Sequence, residues 1–194
     1  MKRFAAIVIS FASLCMGVAH AQSTPPAMDS PRGFEIEGGF ATVRANASPT
    51  ECGCFFMYGG NVQAAFAGRN GLAALADYGI TTASNINGNG NNLTLSTYMA
   101  GVRYAPHFQM KKFSTYGQLL VGAAHTSSNY AIDDDVNRFA FAAGGGLNLE
   151  LSSRVDLRLV EADYLLTRIP NAVNEIQNQL RLSSGLVFHF RARH

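Results

Sequence analysis

The sequence predicts an all-β fold, an eight-stranded antiparallel up-and-down barrel whose strands cross a membrane. Three observations carry that expectation. Eight segments of about 9 to 13 residues alternate apolar with polar or small positions, which suits the roughly 9–11 residues a tilted spanning strand needs. The connections between them alternate in length. Charged residues share the face opposite a continuous apolar face, which inverts the pattern of a soluble barrel.

Each strand follows from a period of two, because successive side chains of a strand point to opposite faces. The first segment, Phe34 to Arg44, sets Phe34, Ile36 and Phe40 against Glu35 and Glu37. The second, Phe56 to Ala67, sets Tyr58, Val62, Ala64 and Phe66 against Asn61 and Gln63. Leu72 to Ile80 opposes Leu72, Tyr78 and Ile80 to Asp77, and Leu93 to Tyr104 opposes Tyr98, Val102 and Tyr104 to Thr97 and Arg103. Phe113 to His125 opposes Leu119 and Val121 to Gln118. Phe139 to Leu151 opposes five large apolar residues to Asn148 and Glu150. Val155 to Leu166 changes phase near Val160, which a β-bulge would produce. Gln179 to Phe190 closes the set, with Leu180, Leu182, Leu186, Phe188 and Phe190 on its apolar face.

The turns at 68–71 and 152–154 are tight, whereas 45–55, 81–92, 126–138 and 167–178 are longer and polar. Short periplasmic turns and long outer loops are the membrane-barrel arrangement. The 105–112 connection is longer than its class predicts. The inward set includes the charged residues Glu35, Glu37, Asp77, Arg103, Glu150, Arg158, Glu161, Asp163 and Arg181. Acids and bases are both present and can pair across the lumen. A barrel of eight strands has room inside only for side chains, so the interior is expected to be a charge-lined plug.

Residues 1–21 read as a signal peptide: Lys2 and Arg3, an apolar stretch from Phe4 to Val18, then Ala19-His20-Ala21. Residues 22–32 form a linker, 33–190 the barrel and 191–194 a C-terminal tail. Lys2 and Arg3 account for the whole formal excess of +2, so the chain after Ala21 is neutral. That argues against nucleic acid as a partner. Cys52-Gly53-Cys54 fits either a local disulfide or a pair of loop thiols. Two thiolates without further ligands do not complete a tetrahedral metal site, and neither a metal nor a cofactor is expected.

The layout resembles the outer-membrane β-barrel families related to the OmpA transmembrane domain and to OmpX. The eight alternating segments and the closing Gly185-Leu-Val-Phe-His-Phe190 carry the resemblance. It implies that Phe188 and Phe190 belong to the assembly signal read by the barrel-assembly machinery. It also implies that outer-membrane lipid and lipopolysaccharide surround the barrel. Arg191 to His194 follow the last Phe, where the family pattern ends on the aromatic residue.

Three functional readings follow. The first is a non-enzymatic barrel with a structural or surface-interaction role. Its outer loops carry the Asn/Gly run 85–92 and Asp133–Asp135, which read as solvated loops; what ligand the loops bind is unspecified. The second is a lipid-modifying enzyme. His125 and Ser127 share a face, a Ser beside a His is the minimum for an activated nucleophile, and the stretch is similar to the His-x-Ser-Asn of outer-membrane lipid A deacylases. Here Asn129 comes one position later, and no carboxylate occupies the matching place in the sixth segment. The third is a small-solute channel, against which the inward charges argue.

Overall fold

The computed structural model describes residues 33–45, 55–68, 70–86, 90–106, 112–128, 137–169 and 175–191. They form β1 (Gly33–Ala45), β2 (Phe55–Ala67), β3 (Leu72–Ile86), β4 (Asn91–Tyr104), β5 (Phe113–Ser128), β6 (Asn137–Ser152), β7 (Val155–Thr167) and β8 (Gln177–Arg191). Each strand pairs antiparallel with the next, and β8 pairs with β1, so the sheet closes. The signal peptide, the linker, Cys52, Cys54, Asp133–Asp135 and residues 192–194 lie outside the described residues.

The register fixes the barrel's shape. Followed from partner to partner, Phe34 leads to Phe66, Ala74, Val102, Leu119, Ala143, Tyr164 and Leu180. Leu180 pairs with Arg44, ten residues further along β1 than the start. That stagger tilts the strands by about 35–45° and closes a cylinder that side chains can fill.

The outer surface is apolar. Phe40, Phe56, Tyr58, Phe66, Leu72, Tyr98, Tyr104, Leu119, Val121, Leu151 and Phe190 are among its exposed large residues. A water-soluble sheet would not leave such a belt uncovered. A lipid-facing barrel requires it.

The strand boundaries differ from the expected ones by a few residues at most, except in two places. β3 continues to Ile86 and β5 to Ser128, so part of what reads as outer loop is strand. Asparagine chemistry explains the first. Asn85 has a φ of 54°, its backbone N–H donates to Asn92 Oδ1 at 3.0 Å, and its own Oδ1 accepts from the Gly90 N–H at 2.9 Å. These bonds close a hairpin that extends β3 and β4. At the other end Asn70 and Gly71 have φ of 63° and 77°, the pair of positive values that a type I′ turn demands. Arg191, assigned above to the tail, pairs with Gly33 and belongs to β8.

The phase change in β7 is a bulge. Leu159 and Val160 both point outward, at 39% and 44% exposure, while Arg158 and Glu161 on either side point in. The pairing with β8 is interrupted between Arg158 and Glu161, and that with β6 between Leu147 and Asn148.

Closure and the apolar belt predict an SDS-resistant barrel. An unheated sample should migrate apart from a boiled one on a gel; a single band at the boiled position would contradict the closed sheet.

Candidate functional site

All but one of the expected inward charges come together inside the barrel. β1 brings Glu37, β3 Asp77, β4 Arg103, β8 Arg181, and β7 brings Arg158, Glu161 and Asp163, all buried. Glu35 is half-buried, nearer the periplasmic mouth. Glu150 is the exception: it is exposed at the end of β6, opposite Asp156. Asn148 is the last buried inward residue of that strand. Beyond it the β6–β7 register slips between Glu150 and Ser152, so the Glu150 side chain meets water at the rim.

Arg158 is the hub. Its Nη1 donates to Glu37, to Glu161 at 2.7 Å and to Gln63 at 2.9 Å, and its Nε donates to Asn148 at 3.1 Å. Arg158 and Glu161 are three apart in sequence, a spacing that regular pleating would put on opposite faces. The Leu159–Val160 bulge is what lets both point in. Arg181 bridges Asp77 at 2.8 Å and Asp163 at 2.7 Å. Arg103 donates to Gln63 and, at 3.2 Å, to Gln118, and lies within 3.8–4.0 Å of Glu35, Glu37 and Glu161.

Neutral residues complete the network, and sequence reasoning did not pick them out as members. Gln63 donates to Asp77 and Glu161, each at 3.0 Å, and Gln118 donates to Asp163 at 3.1 Å. The Tyr116 hydroxyl donates to Glu161 at 2.5 Å. Arg103 and Arg158 both lie over the Tyr116 ring, 4.3 and 4.5 Å from its centroid, close enough for cation–π attraction. Gly146 makes room for that ring, since a Cβ there would meet the Tyr116 hydroxyl and Cζ. The signal for Gln63 and Gln118 was present in their register with the inward acids. Tyr116 shares the phase of Gln118, but an aromatic residue in such a strand draws the eye to the lipid-facing set, and its place in the network went unread. His189 was also missed: it bridges Glu35 at 3.3 Å and Asp156 at 3.0 Å at the periplasmic mouth.

Toward the outer end the interior changes character. Val43, Met57, Leu95, Met99, Leu120, Leu165 and several alanines pack into an apolar layer. The lumen is thus a polar plug capped by an apolar one, where a charge-lined plug was expected. Among the described residues, no three His, Cys, Asp or Glu side chains come together as metal ligands.

His125 and Ser127 lie on the other side of the sheet from this network. His125 stands opposite Ser96 and Asn137, and Ser127 opposite Thr94. None of these cross-strand partners is a carboxylate. Phe188 and Phe190 face outward at the periplasmic end, where the Phe190 ring lies 6.2 Å from that of Phe34.

Comparison with known proteins agrees with this geometry. The family described as outer membrane protein beta-barrel domain matches residues 10–190. No curated protein matches the sequence. Among solved structures, neisserial surface protein A is similar at 17% identity and a TM-score of 0.63, covering 81% of this chain and 97% of that one. OprG from Pseudomonas aeruginosa is similar at 14% identity and a TM-score of 0.58, over 84% and 97% of the two chains. Ail, the attachment invasion locus protein of Yersinia pestis, follows at 14% identity and a TM-score of 0.53, over 81% and 99%.

Removing one member of a buried charge network leaves the others unpaired, which costs about 3–5 kcal/mol. Arg158→Met should lose stability of that order. Arg158→Lys should recover only part, because one ammonium cannot reproduce the guanidinium fork. The chain has no Trp, so urea unfolding in vesicles is best followed by gel mobility. A Met variant as stable as the parent would deny Arg158 its central place. By the same assay Gly146→Leu should destabilise by about 1–3 kcal/mol, through overpacking against Tyr116.

Proposed function

The chain belongs to the outer membrane protein beta-barrel domain family, and from that premise we propose that it is a non-enzymatic, non-conducting barrel with a structural or surface-interaction role. The observation that carries the reading is the plug. Arg158 alone joins β7 to β1, β2 and β6 through Glu37, Gln63 and Asn148. Arg181 joins β8 to β3 and β7 through Asp77 and Asp163. Side chains that bond across the lumen at this density leave no continuous path for a hydrated ion.

The role then falls to the outer end. There β3 and β4 run on into a hairpin held by Asn85 and Asn92, and the longer connections emerge from the same rim. Surface contact also agrees with the names of two proteins that share the fold, a neisserial surface protein and an attachment invasion locus protein. In this reading the chain is exported with cleavage after Ala21, and the assembly machinery recognises Phe188 and Phe190. Outer-membrane lipid and lipopolysaccharide then surround the barrel.

Two measurements test this function. Reconstituted in a planar bilayer, the protein should give no stable conductance steps, and large long-lived steps would overturn the plug. Ser127→Ala should leave the acyl chains of lipid A unchanged relative to the parent. A difference between the two would establish an enzyme in place of a passive barrel.

A further inference from the structure

Among the described residues, the largely apolar outward face of the barrel carries arginine only in a short row at its outer end. Arg44 stands on β1 between Phe56 and Leu180 in register, and its side chain is exposed. Asn178 is exposed on β8, one outward position beyond Leu180. Arg168 is exposed just past β7 and continues the outward series Ala162, Tyr164, Leu166. The ten-residue stagger, shared over eight strands, raises the level ring by one to two residues per strand relative to the hydrogen-bond direction. Arg44, Asn178 and Arg168 therefore come to nearly one height on three adjacent strands.

Below this row the surface belongs to lipid chains: Tyr164 is 48% exposed, Leu180 43% and Phe40 57%. The Tyr164 hydroxyl donates to Asn178 Oδ1 at 2.5 Å. That bond uses the amide oxygen and leaves the amide NH2 as the donor between the two guanidinium groups. The outward positions at a similar height on β3, β4 and β5 are Thr82, Thr94 and His125, so the row has no counterpart there. Arg138 adds a further positive charge at the start of β6, on the lumen-facing register. The one acid at this end among the described residues is Glu175, three positions beyond Asn178 toward the outer side.

We infer that Arg44, Asn178 and Arg168 seat the phosphate of a phosphorylated lipid headgroup in the outer leaflet, on the β7–β8–β1 face. The chemistry is a charged acceptor met by two guanidinium forks and an amide. Charge-assisted hydrogen bonds of this kind are the strong ones. The arginine stems can lie along the apolar belt while their heads reach the headgroup level. The headgroup is favoured over free phosphate because the row sits directly on the lipid-facing belt, where an acyl chain can pack against Leu180 and Tyr164. The inference rests on the reading that this end of the barrel lies in the outer leaflet. Membrane fractionation and surface labelling of Arg168→Cys test that reading separately, since neither depends on lipid retention.

The test uses the folded protein in uncharged detergent with phosphatidic acid as the probe and phosphatidylcholine as competitor. Retained lipid is counted by native mass spectrometry. The parent should keep phosphatidic acid selectively. Each of Arg44→Gln and Arg168→Gln should lower retention about fivefold, as about 1 kcal/mol per basic residue at a membrane surface implies. Asn178→Asp keeps both arginines and the Tyr164 bond but places a negative charge in the row, and it should lower retention as well. Lys112→Gln, at the opposite end, should have no effect. The inference is overturned if the two arginine variants retain as much lipid as the parent, or if Lys112→Gln loses as much. Displacement of the lipid by millimolar inorganic phosphate would equally overturn it, by showing a site for the free anion.

Discussion

A guanidinium group enclosed by a sheet whose outside is lipid has no water to fall back on. The cost of burying such a charge unpaired is several kcal/mol, and the groups around Arg158 answer it at Nη1 and Nε, while Nη2 is buried without a hydrogen-bond partner. Glu37, Gln63, Asn148 and Glu161 reach it from four strands, and the Tyr116 ring lies beneath it. The bulge at Leu159–Val160 is part of the same solution. It allows β7 to present Arg158 and Glu161 to the interior three residues apart, while two apolar side chains go to lipid in place of one.

The rest of the architecture depends on this constraint. A soluble barrel fills its core with apolar residues and wets its outside. Here the outside must be apolar, and the strands' alternation then delivers polar residues to the inside whether or not solvent can reach them. Polar side chains in a narrow lumen must bond to each other. Gln63 and Gln118 serve as neutral connectors because an amide both donates and accepts: Gln63 accepts from Arg103 and Arg158 while donating to Asp77 and Glu161. The apolar layer nearer the outer end, from Val43 to Leu165, closes the same space without needing such partners.

Much of the fold was legible in the sequence. Alternation is a local property, so the eight strands, their faces and the inverted burial could be read from residues such as Glu35, Glu37 and Phe40 in β1. Even the bulge was visible, because Leu157 and Leu159 share one phase while Ala162 and Tyr164 share the other. The outer ends were less legible. Asn85 and Asn92 read as loop residues, and only their side chain-to-backbone bonds extend β3 to Ile86. The site was legible as a set of inward charges but not as a network.

The sequence by itself determined which face each residue takes, because a strand's period of two needs no knowledge of the partner. It therefore supplied the barrel, its lipid-facing belt and the inward acids and bases. Only the tertiary structure decided height, since height depends on the ten-residue stagger with which the sheet closes. Height is what separates Glu150, wet at the rim, from Asp163, buried beside Arg181. It is also what places Tyr116 against two arginines, His189 between Glu35 and Asp156, and Arg44 level with Arg168.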